Sequence, residues 1–197
     1  MKMKGLKQIL IAAIIVAATT GAARAEGTGN GFYTGAAVIG SGFVVDSGDN
    51  TEKLDGDSKV SGGVYAGYKH RIFKGLFAAG ELFYYDTTAN KKSSSGDRIK
   101  LDPQYGLKIH LGYEWDSWSV YGILGSAYLG YDITQNGEQK DNGSFQALLG
   151  GGAAYQFNKK LSINLEITTT GEEIDIAGDK NKTLGLMTLG LGLSYHF

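Results

Sequence analysis

The C-terminal stretch MTLGLGLSYHF, Met187 to Phe197, alternates at every position. Met187, Leu189, Leu191, Leu193, Tyr195 and Phe197 are apolar, while Thr188, Gly190, Gly192, Ser194 and His196 between them are small or polar. Successive side chains of a strand point to opposite faces, so the stretch reads as a strand with one apolar and one small or polar side. Residues 161–169 repeat the pattern, with Leu161, Ile163, Leu165 and Ile167 set against Ser162, Asn164, Glu166 and Thr168. So do residues 105–114, where Tyr105, Leu107, Ile109, Leu111 and Tyr113 alternate with Gly106, Lys108, His110, Gly112 and Glu114. Beyond Glu26 no stretch sustains the 3.6-residue period of an amphipathic helix.

The same reading predicts further strands at 32–45, 59–69, 75–86, 118–131 and 144–157, which with 99–114, 161–170 and 183–197 makes eight. Their connections alternate in length. Three are short (69–74, 115–117 and 158–160), and four are long and polar (46–58, 87–98, 132–143 and 171–182). A soluble barrel would turn its apolar face inward around a ligand and would not need this rhythm. A membrane barrel turns that face to lipid, with short turns at one end and longer loops at the other. Aromatic residues mark both ends: Tyr68, Phe73, Tyr113, Trp115, Trp118, Tyr155, Phe157, Tyr195 and Phe197 lie beside the short turns, and Tyr84, Tyr85, Tyr105, Tyr128 and Tyr131 near the long loops. Two aromatic girdles are what a lipid slab selects.

Composition agrees with an all-β chain. The 197 residues include 31 glycines, one proline and no cysteine, and glycine at about 16% is twice its usual share. Many of these glycines, among them Gly35, Gly63, Gly67, Gly106, Gly112, Gly150, Gly152, Gly190 and Gly192, fall on the expected inner face. There they leave room for a few long polar side chains. The absence of cysteine excludes a disulfide framework and a thiolate metal site.

The first twenty-five residues are of another kind. Lys2, Lys4 and Lys7 precede the uncharged run Ile9–Ala18, and Ala23-Arg24-Ala25 follows with the small-x-small pattern of a cleavage site. The apolar run is ten residues, where a membrane-spanning helix needs about twenty. The expectation is a secretory signal peptide over 1–25, cleaved after Ala25 with Ala23 and Ala25 read by the peptidase, and one domain over 26–197. Losing Lys2, Lys4, Lys7 and Arg24 reduces 19 basic residues to 15 against 20 acidic, a net charge of −5. Such a chain offers no nucleic-acid surface.

With these features in place, the sequence resembles the small eight-stranded outer-membrane barrels of Gram-negative bacteria, the OmpA/OmpX-like group and the porin-family outer membrane protein β-barrel proteins. Gly31-Phe32-Tyr33-Thr34-Gly35-Ala36 is similar to the first strand of that group. Leu191, Leu193, Tyr195 and Phe197 resemble the terminal signal read by the barrel-assembly machinery. The resemblance implies an eight-stranded antiparallel up-and-down transmembrane barrel in the outer membrane, a monomer, whose partners are outer-membrane lipids and lipopolysaccharide. It implies no cofactor. Full-length OmpA proteins continue into a peptidoglycan-binding domain, and with the sequence stopping at Phe197 no cell-wall tether is expected.

Three features could carry chemistry. Glu81, Lys108 and Glu166 sit at similar heights above the nearest short turn and are expected to meet in the lumen, with His110 and Glu114 on the same inner face. They form either a polar gate or an ion-pair network that fills the core, because buried charges must be paired wherever they occur. Enzymes on this scaffold would need a histidine toward the outer rim. Instead His70 is expected in a short turn, His110 inside a strand and His196 at a strand end, so no catalysis is expected. The loops carry opposite charge: Asp46, Asp49, Glu52, Asp55 and Asp57 against Lys53 and Lys59 in the first, and Lys91, Lys92, Arg98 and Lys100 against Asp86 and Asp97 in the second. The first could hold a divalent cation or simply be solvated. The second could contact lipopolysaccharide phosphates. Gly150-Gly151-Gly152 and Gly190-Leu191-Gly192 are not phosphate cradles, because no helix follows them. The expected role is structural and surface-interacting, with a narrow low-conductance porin or a loop-mediated adhesin as alternatives.

Overall fold

The computed structural model describes residues 30–46, 59–87, 90–92, 98–135, 138–176 and 179–197. All its regular elements are strands: β1 (Gly31–Asp46), β2 (Lys59–Phe73), β3 (Leu76–Tyr85), β4 (Asn90–Lys92), β5 (Arg98–Leu101), β6 (Gln104–Trp115), β7 (Trp118–Gln135), β8 (Glu138–Gln156), β9 (Leu161–Ile176) and β10 (Asp179–His196). Neighbours pair antiparallel in the order β1, β2, β3, β6, β7, β8, β9, β10. Pairing of β1 with β10, from Tyr33 opposite His196 to Asp46 opposite Thr183, closes the ring. The result is an eight-stave up-and-down barrel, the one strand arrangement that leaves no unpaired edge in hydrocarbon.

Ten strand segments make eight staves because β4 and β5 are outer extensions. β5 pairs with β7 from Arg98 opposite Thr134 to Leu101 opposite Tyr131, on the line that β6 takes up from Tyr105 opposite Tyr128. Asp102 and Pro103 interrupt it, and Pro103 has no N–H to give the ladder. The Asp102 N–H still donates to Gly130 O at 2.9 Å.

The outward face is apolar. Val38 is 58% exposed, Leu124 53% and Leu193 54%, the reverse of a water-soluble barrel and the arrangement that lipid requires. Aromatic rings collect at the short-turn end: Phe32 on Tyr68 (4.9 Å), Trp118 on Tyr155 (4.9 Å) and Tyr195 on Phe197 (5.1 Å). At the other end Tyr105 stacks on Tyr128 (5.1 Å), and Phe145 meets both. Tyr85 departs from the expected outer girdle. It lies on the same face of β3 as Glu81 and Phe83 and is buried in the lumen.

The short turns are tight. Between β2 and β3 the chain reverses through Lys74 and Gly75, and Gly75 adopts φ +90°. A Cβ at Gly75 would also stand 2.5 Å from Glu114 O. Asp116 turns β6 into β7 at φ 49°, a conformation aspartate tolerates better than most. Before β9, Asn158 Oδ1 accepts from the N–H groups of Lys160 (2.8 Å) and Leu161 (3.0 Å).

Three expectations change. β2 runs on to Phe73, so His70 is exposed on a strand and not in a turn. The expected loops 132–143 and 171–182 are mostly strand: Gln135 pairs with Glu138, and Ile176 with Asp179. Polar residues ladder there because antiparallel pairing uses backbone groups alone. Most of the acidic first loop, including Asp49, Glu52, Lys53, Asp55 and Asp57, lies outside the described residues, as do Asp97, Ala23 and Ala25.

Candidate functional site

Register brings the lumenal charges together. Glu81 on β3 pairs directly with Lys108 on β6, while β9 lies across the ring from β3 and carries Glu166. The Lys108 ammonium donates to Glu166 Oε2 at 2.7 Å, to Tyr85 Oη at 2.7 Å and to Glu81 Oε1 at 3.3 Å. Lys108 is 0% exposed, Glu81 2% and Glu166 5%. The other carboxylate oxygens are also engaged. Tyr33 donates to Glu81 Oε2 (3.0 Å), and Glu166 Oε1 accepts from Tyr121 (3.0 Å) and Asn164 (3.4 Å). A shared ammonium and a hydrogen bond to every carboxylate oxygen offset the cost of burying these three charges.

The tyrosines that finish this network have room because glycines face them. A Cβ at Gly67 would lie 2.6 Å from the Tyr33 ring, at Gly192 2.6 Å from Tyr65 Oη, and at Gly152 2.7 Å from the Tyr121 ring. The inner glycines therefore make space chiefly for rings, where the sequence suggested long polar side chains. Tyr65 donates to Asn164 Oδ1 at 2.8 Å and lies 2.8 Å from Ser194 Oγ.

The remaining candidate residues separate. His110 stacks on Tyr121, with centroids 4.9 Å apart and planes at 14°, and lies beside the two glutamates. Glu114 is not part of this group. It sits nearer the short turns and pairs with Lys69 and Arg71, while Lys69 lies 4.3 Å over the Phe77 ring. His196 Nε2 is 2.8 Å from Ser162 Oγ at the same end. Leu191, Leu193 and Tyr195 face outward from β10, and Phe197 donates its N–H to Phe32 O at 3.0 Å.

On the long-hairpin side of the charges an apolar cluster packs beside the buried polar groups Ser41, Gln104, Thr168, Thr170 and Thr188. Ile39 and Ala127 are 0% exposed, Leu148 1% and Leu186 2%, and Phe83 places its ring 4.8 Å from the Lys108 ammonium. All five apolar residues lie farther from the short turns, along their strands, than Glu81 and Glu166. On the opposite side a cavity of about 70 Å³ reaches Glu81, His110 and Glu166. It shares Lys69, Ser117, Gln156 and His196 with a wider vestibule of about 500 Å³ at the short-turn mouth. From the short-turn end the described lumen therefore runs from a polar mouth to a charged floor, with an apolar stopper and a few buried polar groups behind it.

A closed antiparallel barrel with an apolar exterior and a buried charge network in its lumen defines an integral β-barrel membrane protein. Residues 9–197 match the family of the outer membrane protein beta-barrel domain, and the chain belongs to that family. It is accordingly an outer-membrane protein. Its fold is similar to that of Ail, the attachment invasion locus protein of Yersinia pestis, in complex with the heparin analogue sucrose octasulfate (15% identity, 84% of this chain and 99% of that chain, TM-score 0.54). It is also similar to Neisserial surface protein A (17% identity, 86% and 100%, TM-score 0.55). At these identities the likeness is one of fold. No curated protein matches the sequence.

Proposed function

We propose that the protein is a structural and surface-interaction component of the outer membrane and not a pore. One observation carries this reading: the lumen is blocked twice, by the Glu81–Lys108–Glu166 network and by the apolar layer of Ile39, Phe83, Ala127, Leu148 and Leu186 behind it. A conducting lumen needs continuous polar space, and dispersion contacts in a packed core exclude it. Planar-bilayer recording of the purified barrel tests the reading, with current at background as the expected result.

In this reading the short turns face the periplasm and the long hairpins the outside, following the general pattern of outer-membrane barrels. The hairpin β4–β5 sets Lys91 opposite Ile99 and Lys92 opposite Arg98, which gathers basic residues on one ribbon above the barrel. That ribbon is suited to polyanions such as lipopolysaccharide phosphates. Ail, with the same fold, holds a sulfated sugar, so a loop-mediated adhesin is the second reading. Binding of lipopolysaccharide and of sulfated sugar by the wild-type barrel and by a Lys91→Ala, Lys92→Ala, Arg98→Ala triple variant compares the two. The protein acts as a monomer and without catalysis. Assembly proceeds through recognition of Leu191, Leu193, Tyr195 and Phe197 after removal of residues 1–25.

A further inference from the structure

The floor of the blind cavity is built like a ligand set. One ring nitrogen of His110 and one oxygen from each of Glu81 and Glu166 lie within 4.8 Å of one another. They come from three strands, β6, β3 and β9, so the barrel wall fixes their separation. All three residues are buried, and all three line the cavity. Lys108 is not among the residues that line it and bridges the two carboxylates at 3.3 and 2.7 Å.

Two further observations point to a cation. The His110 ring is 5% exposed, and its Nε2 has no hydrogen-bond partner, an unmet polar atom of the kind that folded proteins rarely keep. The cavity wall also presents four carboxylates, Glu81, Glu114, Asp116 and Glu166, against three cations that pair with them, Lys69, Arg71 and Lys108, so one net negative charge remains and the field favours a cation. Two glutamates against Lys108 leave one negative charge at the floor itself. The volume of about 70 Å³ holds an ion with several waters, since one water needs only about 10–15 Å³ by the same measure.

We propose that Glu81, His110 and Glu166 bind a divalent first-row transition-metal ion, entered from the short-turn mouth. One imidazole nitrogen and two carboxylate oxygens suit Zn²⁺ and its neighbours, whereas Mg²⁺ and Ca²⁺ prefer all-oxygen shells. Water completes the coordination from the cavity. Both carboxylates keep lone pairs for the metal, because each oxygen offers two acceptor sites, and the hydroxyls of Tyr33 and Tyr121 orient them as outer-shell donors.

The test is calorimetric titration of the folded barrel in detergent with ZnCl₂, beside MgCl₂ and CaCl₂. One Zn²⁺ per barrel is expected, with no comparable binding of Mg²⁺ or Ca²⁺. His110→Ala should weaken Zn²⁺ at least about tenfold, since loss of an outer-shell partner alone has that effect. His110 takes no part in the Lys108 ion pairs, so this variant keeps them. The exposed His70→Ala should leave binding unchanged. A second readout on the wild-type protein needs no variant: Co²⁺ should give visible absorption that Zn²⁺ abolishes. Absence of stoichiometric Zn²⁺ binding, equal affinity in His110→Ala, loss of binding in His70→Ala, or equally tight Mg²⁺ each overturns the site.

Discussion

Lys108 and Glu166, 58 residues apart in sequence, meet at 2.7 Å in the middle of the barrel. Their contact ties β6 to β9 across the lumen, where no backbone hydrogen bond reaches. Glu81 joins them from β3, so three separate staves are fixed to one ammonium.

Removing that ammonium leaves two buried carboxylates without their cation. A broken buried pair costs about 3–5 kcal/mol, and water entering from the short-turn cavity reduces the figure. Lys108→Ala is expected to lower the temperature at which the folded barrel loses its heat-modified mobility on gels. Adding Glu81→Gln should restore part of the loss. Unchanged stability in Lys108→Ala would contradict the network.

The apolar stopper makes a separate prediction. Because Ile39, Leu148 and Leu186 lie behind the charges, Lys108→Ala alone should not open the barrel to ions. Leu148→Ala should destabilise it by about 2–5 kcal/mol through the cavity it leaves. Conductance is expected to rise only when Lys108→Ala is combined with Leu148→Ala and Leu186→Ala. Channel activity in Lys108→Ala by itself would show that the charges were the gate.

Glycines under rings should resist substitution. Gly67→Ala puts a methyl group 2.6 Å from the Tyr33 ring and 2.5 Å from Gly80 O, and backbone cannot move aside as a side-chain tip can. Overpacking of this kind costs about 1–3 kcal/mol. Gly80→Ala is the control, since nothing lies within 4 Å of a Cβ there. Equal refolding midpoints in urea for the two variants would refute the space-filling role of Gly67.

The two ends of the chain give predictions about export. Deleting Phe197 should reduce the amount of barrel inserted in cells more than it changes the melting of what is inserted, because an assembly signal acts before folding is complete. Wild-type levels would remove that role. N-terminal sequencing of the membrane-extracted protein should begin at Glu26.

The eight staves were legible because strand alternation has a period of two and lipid contact makes it strict, as at Leu189, Leu191 and Leu193. The approach of Glu81, Lys108 and Glu166 could be read from their heights above the short turns. The tyrosines of the network could not be read so easily. Tyr33, Tyr65, Tyr85 and Tyr121 look like girdle residues by type, and only their parity with Gly35, Gly67 and Gly152 on the inner face reveals them. Read by type alone, Tyr85 falls in the outer girdle, whereas its parity with Glu81 turns it inward. The hairpins beyond β7 and β9 were hidden because polar residues there resemble loop, although Asn136-Gly137 between Gln135 and Glu138 is a two-residue hairpin signal. The apolar stopper is equally hard to read from the sequence. Leu148 stands alone among Ser144, Gln146, Gly150 and Gly152, and Ile39 and Leu186 fall on faces otherwise marked by glycine and hydroxyl residues such as Gly35, Ser41, Thr188 and Gly190, too sparse a signal for a periodic pattern to register.

The closed lumen is tested most directly by planar-bilayer recording of the purified, folded wild-type barrel across a range of voltages. With the charged floor and the apolar layer both in place, the current should stay at the level of the protein-free bilayer. Discrete, reproducible single-channel steps from the wild-type protein would contradict it.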